Sequence, residues 1–211
     1  MVDAIHADHD NLMIIHRFGI PLGFGDKSVA EVCNSNGVCV LLFLSVCNKD
    51  LNIKDFQSHK TELIRQLLMF LRNSHNYYKT LFLPEIKNKI QRLSEKYPSG
   101  IQIALNTFFD QYEQEVLLHL HDEENNLFPY IEKILNDPSK VKKINPRKTK
   151  HHEDIEEKLS DLKNIIIKYM DMPQHDLFKI DLLDRLFHFQ DDLNRHAQIE
   201  DQILTPLVLD A

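Results

Sequence analysis

Tryptophan is absent from this 211-residue chain, and glycine (5), proline (8) and cysteine (3) are all scarce. Apolar residues recur instead at spacings of three and four, so the composition favours helix over sheet. No apolar run approaches the roughly 20 residues that a transmembrane helix needs. The longest, Val38 to Val46, is interrupted by Ser45. The first ten residues are acidic and lack the basic start of a signal peptide, so a cytoplasmic location is expected. A formal net charge of −7 argues against broad attraction to nucleic acid or to anionic membranes. The basic stretch from Lys140 to Lys150 reads as a solvated loop between acidic helices. The three cysteines, Cys33, Cys39 and Cys47, contain no Cys-x-x-Cys pair, which weighs against a disulfide framework or a thiolate metal site. They read as small apolar residues on short helices.

Histidine is what the chain has in plenty, with 12 copies. Their setting depends on the organisation of the chain. Residues 1–50 read as a small helical module. It opens on the glycine-rich loop Phe18 to Gly25, and Ser28 with Glu31 forms a capping box for a short helix. Asn34-Ser35-Asn36-Gly37 stops that helix, and a second short helix runs to about Cys47. Asn48 to Asp55 is a plausible linker to a second domain over residues 55–211. There, four long helical patterns run from about Asp55 to Tyr97, Ile101 to Asn136, Asn145 to Met170 and Asp176 to Leu209. Pro98-Ser99-Gly100, Asp137-Pro138-Ser139 and Met172-Pro173 punctuate them. Short connections predict an up-down-up-down four-helix bundle. Pro84, Pro129 and Pro206 are expected to kink or end their helices.

An internal repeat lies in this region. The skeleton His-x-x-x-Glu-[acid]-x-x-Leu-x-Pro occurs from His119 to Pro129 and again from His196 to Pro206, at an offset of 77 positions. The same offset relates His75 to His152 and Glu115 to Asp192. Residues four apart share a helix face, so His119 projects with Glu123 and His196 with Glu200. That face is apolar. The seam of the last helix runs Leu182, Leu186, Phe189, Leu193, His196, Glu200, Ile203, Leu207. The second helix runs Leu105, Phe109, Tyr112, Val116, His119, Glu123, Asn126, Tyr130. His75 sits between Leu71 and Tyr78, and His152 precedes Ile155 and Leu159 in the same rhythm. Six polar side chains therefore occupy positions where a bundle buries leucine or isoleucine. Each would cost several kcal/mol unpaired, and a divalent metal satisfies them together. Imidazole suits iron, zinc, copper or nickel, and carboxylates bridge hard cations. Four histidines and two glutamates suit a dinuclear centre, with each metal drawing one histidine from each repeat. Glu115 and Asp192, one turn before His119 and His196, are candidates to hold ligands in place or to line a proton and substrate path. The other histidines (His6, His9, His16, His59, His121, His151, His175 and His188) read as surface or supporting residues.

At these residues the sequence resembles the hemerythrin-like family, and within it the di-iron proteins that repair iron-sulfur clusters. The cues are the doubled motif, His152-Glu-Asp and His75 in a first helix, over residues 55–211. The segment Arg17 to Gly25 followed by Lys27-Ser-Val resembles the loop that carries a Cys-Cys-Gly-Gly signature in the repair proteins, with Leu22 and Gly23 in place of the two cysteines. The resemblance implies an all-α hemerythrin-like bundle holding two non-haem irons, with manganese or zinc as lesser candidates. It implies damaged iron-sulfur proteins, nitric oxide or dioxygen as partners, and a role in stress response by iron donation or nitric oxide chemistry. The alternatives are a binding or sensing module for oxygen or nitric oxide, and a structural bundle with zinc or no metal. Oxygen carriers use five histidines including a His-x-x-x-His pair, which the seam lacks, so oxygen transport is disfavoured. The sequence leaves the oligomeric state open between monomer and homodimer.

Overall fold

The computed structural model describes residues 1–48, 60–136, 149–171 and 177–209. Among them every regular element is a helix. The expected linker beyond Asn48, the breaks at 137–139 and 172–173, His59, His175 and the basic stretch up to residue 148 lie outside the described residues. No helix among the described residues is long and apolar enough to cross a membrane.

Four short helices open the chain: α1 (Val2–Ala7), α2 (Asn11–Arg17), α3 (Val29–Ser35) and α4 (Val40–Asn48). Among the described residues, four long helical runs come next. The first is α5 (Lys60–Tyr77) continuing into α6 (Leu83–Ser94), and the second is α7 (Ser99–Asp122) continuing into α8 (Phe128–Asn136). The third is α9 (Thr149–Tyr169), and the fourth is α10 (Leu177–Ile199) continuing into α11 (Thr205–Leu209). By their contacts the described residues divide into two units. One gathers 1–48, 60–74, 128–136 and 198–209, and the other 75–127, 149–171 and 177–197.

In the first unit, the Ser28 side chain accepts the Glu31 amide (3.2 Å) while Glu31 Oε2 accepts the Ser28 amide (2.8 Å), which starts α3. Gly37, at φ +68°, turns the chain after α3, a conformation that side chains other than glycine rarely adopt. The N-terminal helices are finished by residues of α5. Gln66 accepts the Cys39 amide (2.9 Å) and donates to the Gly37 carbonyl (3.0 Å). Asn73 donates to the Arg17 carbonyl (2.8 Å), one of those left over at the end of α2. Phe18 packs against Phe43 and Phe70, with ring centroids 5.6 and 4.8 Å away. Such ring pairs add about 0.5–1.5 kcal/mol each beyond the area they bury.

The second unit is built on the seam read from the sequence. Phe82 and Phe189 stack at 3.8 Å, Tyr78 meets Phe189 edge-on at 5.4 Å, and Leu105, Phe109, Leu159 and Leu186 are buried around them. Exposed or half-exposed ion pairs such as Arg185–Glu85 (2.5 Å) and Lys87–Glu113 (2.6 Å) ring this core. Pairs of that kind contribute about 0–1 kcal/mol each, so burial dominates.

Pro84, Pro129 and Pro206 are expected to kink or end their helices, and the helical runs continue through all three. A π-helical turn occupies Tyr78–Phe82, Glu123–Leu127 and Glu200–Leu204, and each ends two residues before Pro84, Pro129 or Pro206. None of the three prolines ends its run. Proline lacks an N–H and crowds the carbonyl one turn back, and a widened turn lets the helical ladder pass the missing donor. The position 77 residues after Pro84 is Asp161, and α9 is regular there. Proline, rather than the repeat, decides where the turn widens.

Candidate metal centre

Five of the six seam residues converge within the second unit. His75 stands in the last turn of α5, His119 and His196 in the last turns of α7 and α10, and His152 in the first turn of α9. Glu123 opens the π turn after α7, and its side chain is 1% exposed. Its two oxygens face opposite ways. Oε2 lies 3.3 Å from His75 Nε2, and Oε1 lies 3.4 Å from His119 Nε2 and 3.8 Å from His152 Nε2. His75 Nε2 is 3.2 Å from His196 Nε2, and the His119 and His152 rings meet edge-on with centroids 4.7 Å apart. Each pair thus takes one histidine from each repeat. Glu123 with His75 and His196, and Glu123 with His119 and His152, form two donor groups that share one carboxylate and are each able to hold a cation. The His75 side chain is fully buried, whereas those of His119 and His152 are 11% and 12% exposed.

The donor set can be tested against a metal by its hydrogen bonding. His75 Nδ1 lies 3.1 Å from Glu124 Oε1, a carboxylate oxygen that accepts its N–H. That bond fixes the tautomer and leaves a lone pair on Nε2. The lone pair then faces the Glu123 carboxylate and a second imidazole, an electron-rich meeting that a cation would hold together. Lys79 anchors Glu124 by donating to both its oxygens (2.7 and 2.8 Å). Burial pushes the Glu124 carboxyl up, but the bonded Lys79 ammonium and the His75 ring outweigh it and hold the group below its usual range. The buried residues fit a metal ion.

The sequence model of the hemerythrin HHE cation-binding domain matches residues 65–208. The chain belongs to the hemerythrin HHE cation-binding family. No curated protein matches it in sequence. It is therefore a metal-binding helical bundle of the hemerythrin family, whose typical cation is iron.

Glu200 belongs to the first unit; it is buried and opens the third π turn, four residues after His196 along the chain. Glu115 is half-buried and accepts a hydrogen bond from Lys158, and Asp192 is half-buried on α10. Glu124 and Lys79 are additions that the sequence does not single out, although Glu124 fills the acidic slot of the repeated skeleton. Asn126, read as part of the buried seam, is exposed. The π turn slips the register by one, so burial resumes at Phe128, Ile131 and Ile134. His6, His9, His16, His121 and His188 are exposed, and His121 is bonded to Asn125 (3.0 Å).

Two openings meet the hemerythrin-type centre in the second unit. A small pocket of about 20 Å³ is lined by His119, His152, His196 and Glu156 together with aliphatic side chains. A cleft of about 670 Å³ between α7 and α9 has His119 in its wall and carries the carboxylates of Glu115, Asp122, Asp154, Glu157 and Asp161.

Proposed function

We propose that this hemerythrin-family chain holds a carboxylate-bridged pair of non-haem irons on His75, His119, Glu123, His152, His196 and Glu200, and acts in iron-sulfur cluster repair under nitrosative or oxidative stress. The observation that carries the reading is the division of the Glu123 carboxylate, with one oxygen turned to each histidine pair. A mixed imidazole and carboxylate set accepts iron, the typical cation of the family, with manganese or zinc as lesser candidates. Bound iron would supply redox chemistry and affinity for diatomic molecules. The protein's own residues hold it, shut water out on the His75 side, and fix the His75 ring through Glu124 and Lys79. Four histidines with two carboxylates make a less nitrogen-rich set than that of oxygen carriers, which supports iron donation over oxygen transport. The partners on this reading are damaged iron-sulfur proteins and nitric oxide.

The N-terminal loop contributes no thiol pair to this activity. Gly23, which takes the place of one cysteine of the repair-type signature, sits at φ +98°, where a side chain is strained. Burial pushes the Cys33 thiol up to about 11, so it stays protonated and inert.

A second reading, a sensor or store of nitric oxide or dioxygen, is favoured by the small, mostly apolar pocket of diatomic size beside His119 and His152. The two are separated by incubating iron-loaded protein with a nitric-oxide-damaged [4Fe-4S] protein and following the return of cluster absorption. Repair predicts cluster recovery with iron leaving the bundle, and no recovery from metal-free protein. Reversible nitric oxide binding with no cluster recovery would reject repair in favour of sensing.

A further inference from the structure

The two histidine pairs that share Glu123 are not held alike. His75 and Lys79 stand four residues apart where α5 passes into the π turn Tyr78–Phe82, and both reach Glu124. His75 Nδ1 donates to Glu124 Oε1 (3.1 Å), and the Lys79 ammonium donates to both Glu124 oxygens (2.7 and 2.8 Å). Turning this carboxylate away from the ring would break two charge-assisted bonds. A carboxylate that accepts the far N–H of a ligating imidazole makes the ring a stronger donor and keeps it aimed. The repeat does not carry the lysine over: the residue 77 positions after Lys79 is Glu156, of opposite charge.

Access from solvent divides the pairs in the same sense. His75 is fully buried and His196 nearly so, whereas the His119 and His152 side chains are 11% and 12% exposed. The cleft between α7 and α9 has His119 in its wall, and His75 lines neither that cleft nor the small pocket. The packing around a metal governs how water and competing donors reach it. A competing donor therefore meets the His119–His152 group first.

We infer that the Lys79–Glu124 pair makes the two metal positions unequal: iron on His75 and His196 is retained, and iron on His119 and His152 is the one released to an acceptor. The inference rests on the proposed di-iron reading with iron donation, and adds which iron leaves and which residues hold the other. Glu124 is a positioning residue that acts through the His75 ring, and Lys79 acts through Glu124. The step is a ligand exchange without change of oxidation state. Ferrous ion leaves His119, His152 and its share of Glu123 for donor atoms of the acceptor, and the second iron stays behind.

The test follows release of iron from the ferrous-loaded full chain to excess ferrozine without air, in wild type, E124Q, K79M and H119A. Iron per chain is measured on every sample beforehand. Wild type is expected to release about one iron quickly and one about tenfold or more slowly, the scale of effect that residues behind a ligand exert. E124Q is expected to speed the slow phase about 10- to 100-fold and leave the fast phase unchanged. E124Q that arrives with only the fast-released iron is the same result at its extreme. K79M leaves Glu124 in place and is expected to act in the same direction by a smaller factor, so it decides the matter if E124Q does not fold. H119A is expected to carry about one iron and release it in the slow phase. Release of both wild-type irons in a single phase would overturn the inference and leave the di-iron reading standing. So would a slow phase unmoved in both E124Q and K79M, equal speeding of both phases, or fast loss of the iron in H119A. Wild-type protein that takes up no iron would overturn the di-iron reading along with it.

Discussion

Replacing Glu123 with alanine is expected to empty both metal positions at once. The two oxygens of this one carboxylate face different histidine pairs, at 3.3 Å from His75 and 3.4 Å from His119. Removing it therefore takes a donor from each group. Loss of a residue that merely supports a ligand lowers metal affinity about 10- to 100-fold, and loss of a shared ligand exceeds that at both positions. Iron content measured on the purified variant is expected to fall from about two per chain to about zero. The comparison that gives this result its meaning is His119→Ala, which takes a donor from one group only and is expected to keep about one iron. Equal losses in the two variants would show that Glu123 holds no more than one metal. Full retention of iron in the Glu123 variant would remove it from the site altogether.

Iron loading is expected to raise the thermal midpoint of the wild-type protein by about 8–16 °C. The cause is burial: His75, Glu123, His196 and Glu200 are each no more than 4% exposed, and polar groups at such depth weaken a core unless something satisfies them. A ligand that binds only the folded state at a thousand times its dissociation constant stabilises by about 4 kcal/mol. For a chain of this size, each kcal/mol moves the midpoint by about 2–4 °C. Calorimetry on metal-free and iron-loaded samples reads the difference. The Glu123→Ala variant should show almost no iron-dependent shift. A wild-type shift below about 2 °C would mean that iron adds little to the folded state, and that the buried histidines are satisfied by one another.

Much of this arrangement is legible in the amino-acid pattern, for a definite reason. His75, His119, Glu123, His152 and His196 sit in helical register with leucine and phenylalanine, so any helix that buries its apolar face must bury them too. The 77-residue repeat then distinguishes them from scattered histidines. The resemblance drawn from that motif extends, in the family match, over residues 65–208. The residues that escape the pattern do so for equally specific reasons. A regular helix would put Asn126 on the inner face, whereas the π turn at Glu123–Leu127 adds a residue and rotates the helix beyond it. The cue is present, since each such turn stands just ahead of a proline, but the usual meaning of that proline is a kink or a stop. Lys79 and Glu124 escape because their contact spans 45 residues of sequence and is created by packing. Helices α1 and α2, of 6 and 7 residues, are too short to show two periods of an apolar pattern.

The proposed irons would share the Glu123 carboxylate as one coupled pair. Mössbauer spectroscopy on protein loaded with enriched iron and oxidised in air measures this most directly. The expected result is about two irons per chain in a single antiferromagnetically coupled, diamagnetic pair. One iron per chain with the magnetic spectrum of an isolated ion would contradict it, and would leave Glu123 a terminal ligand or a buried partner of histidine.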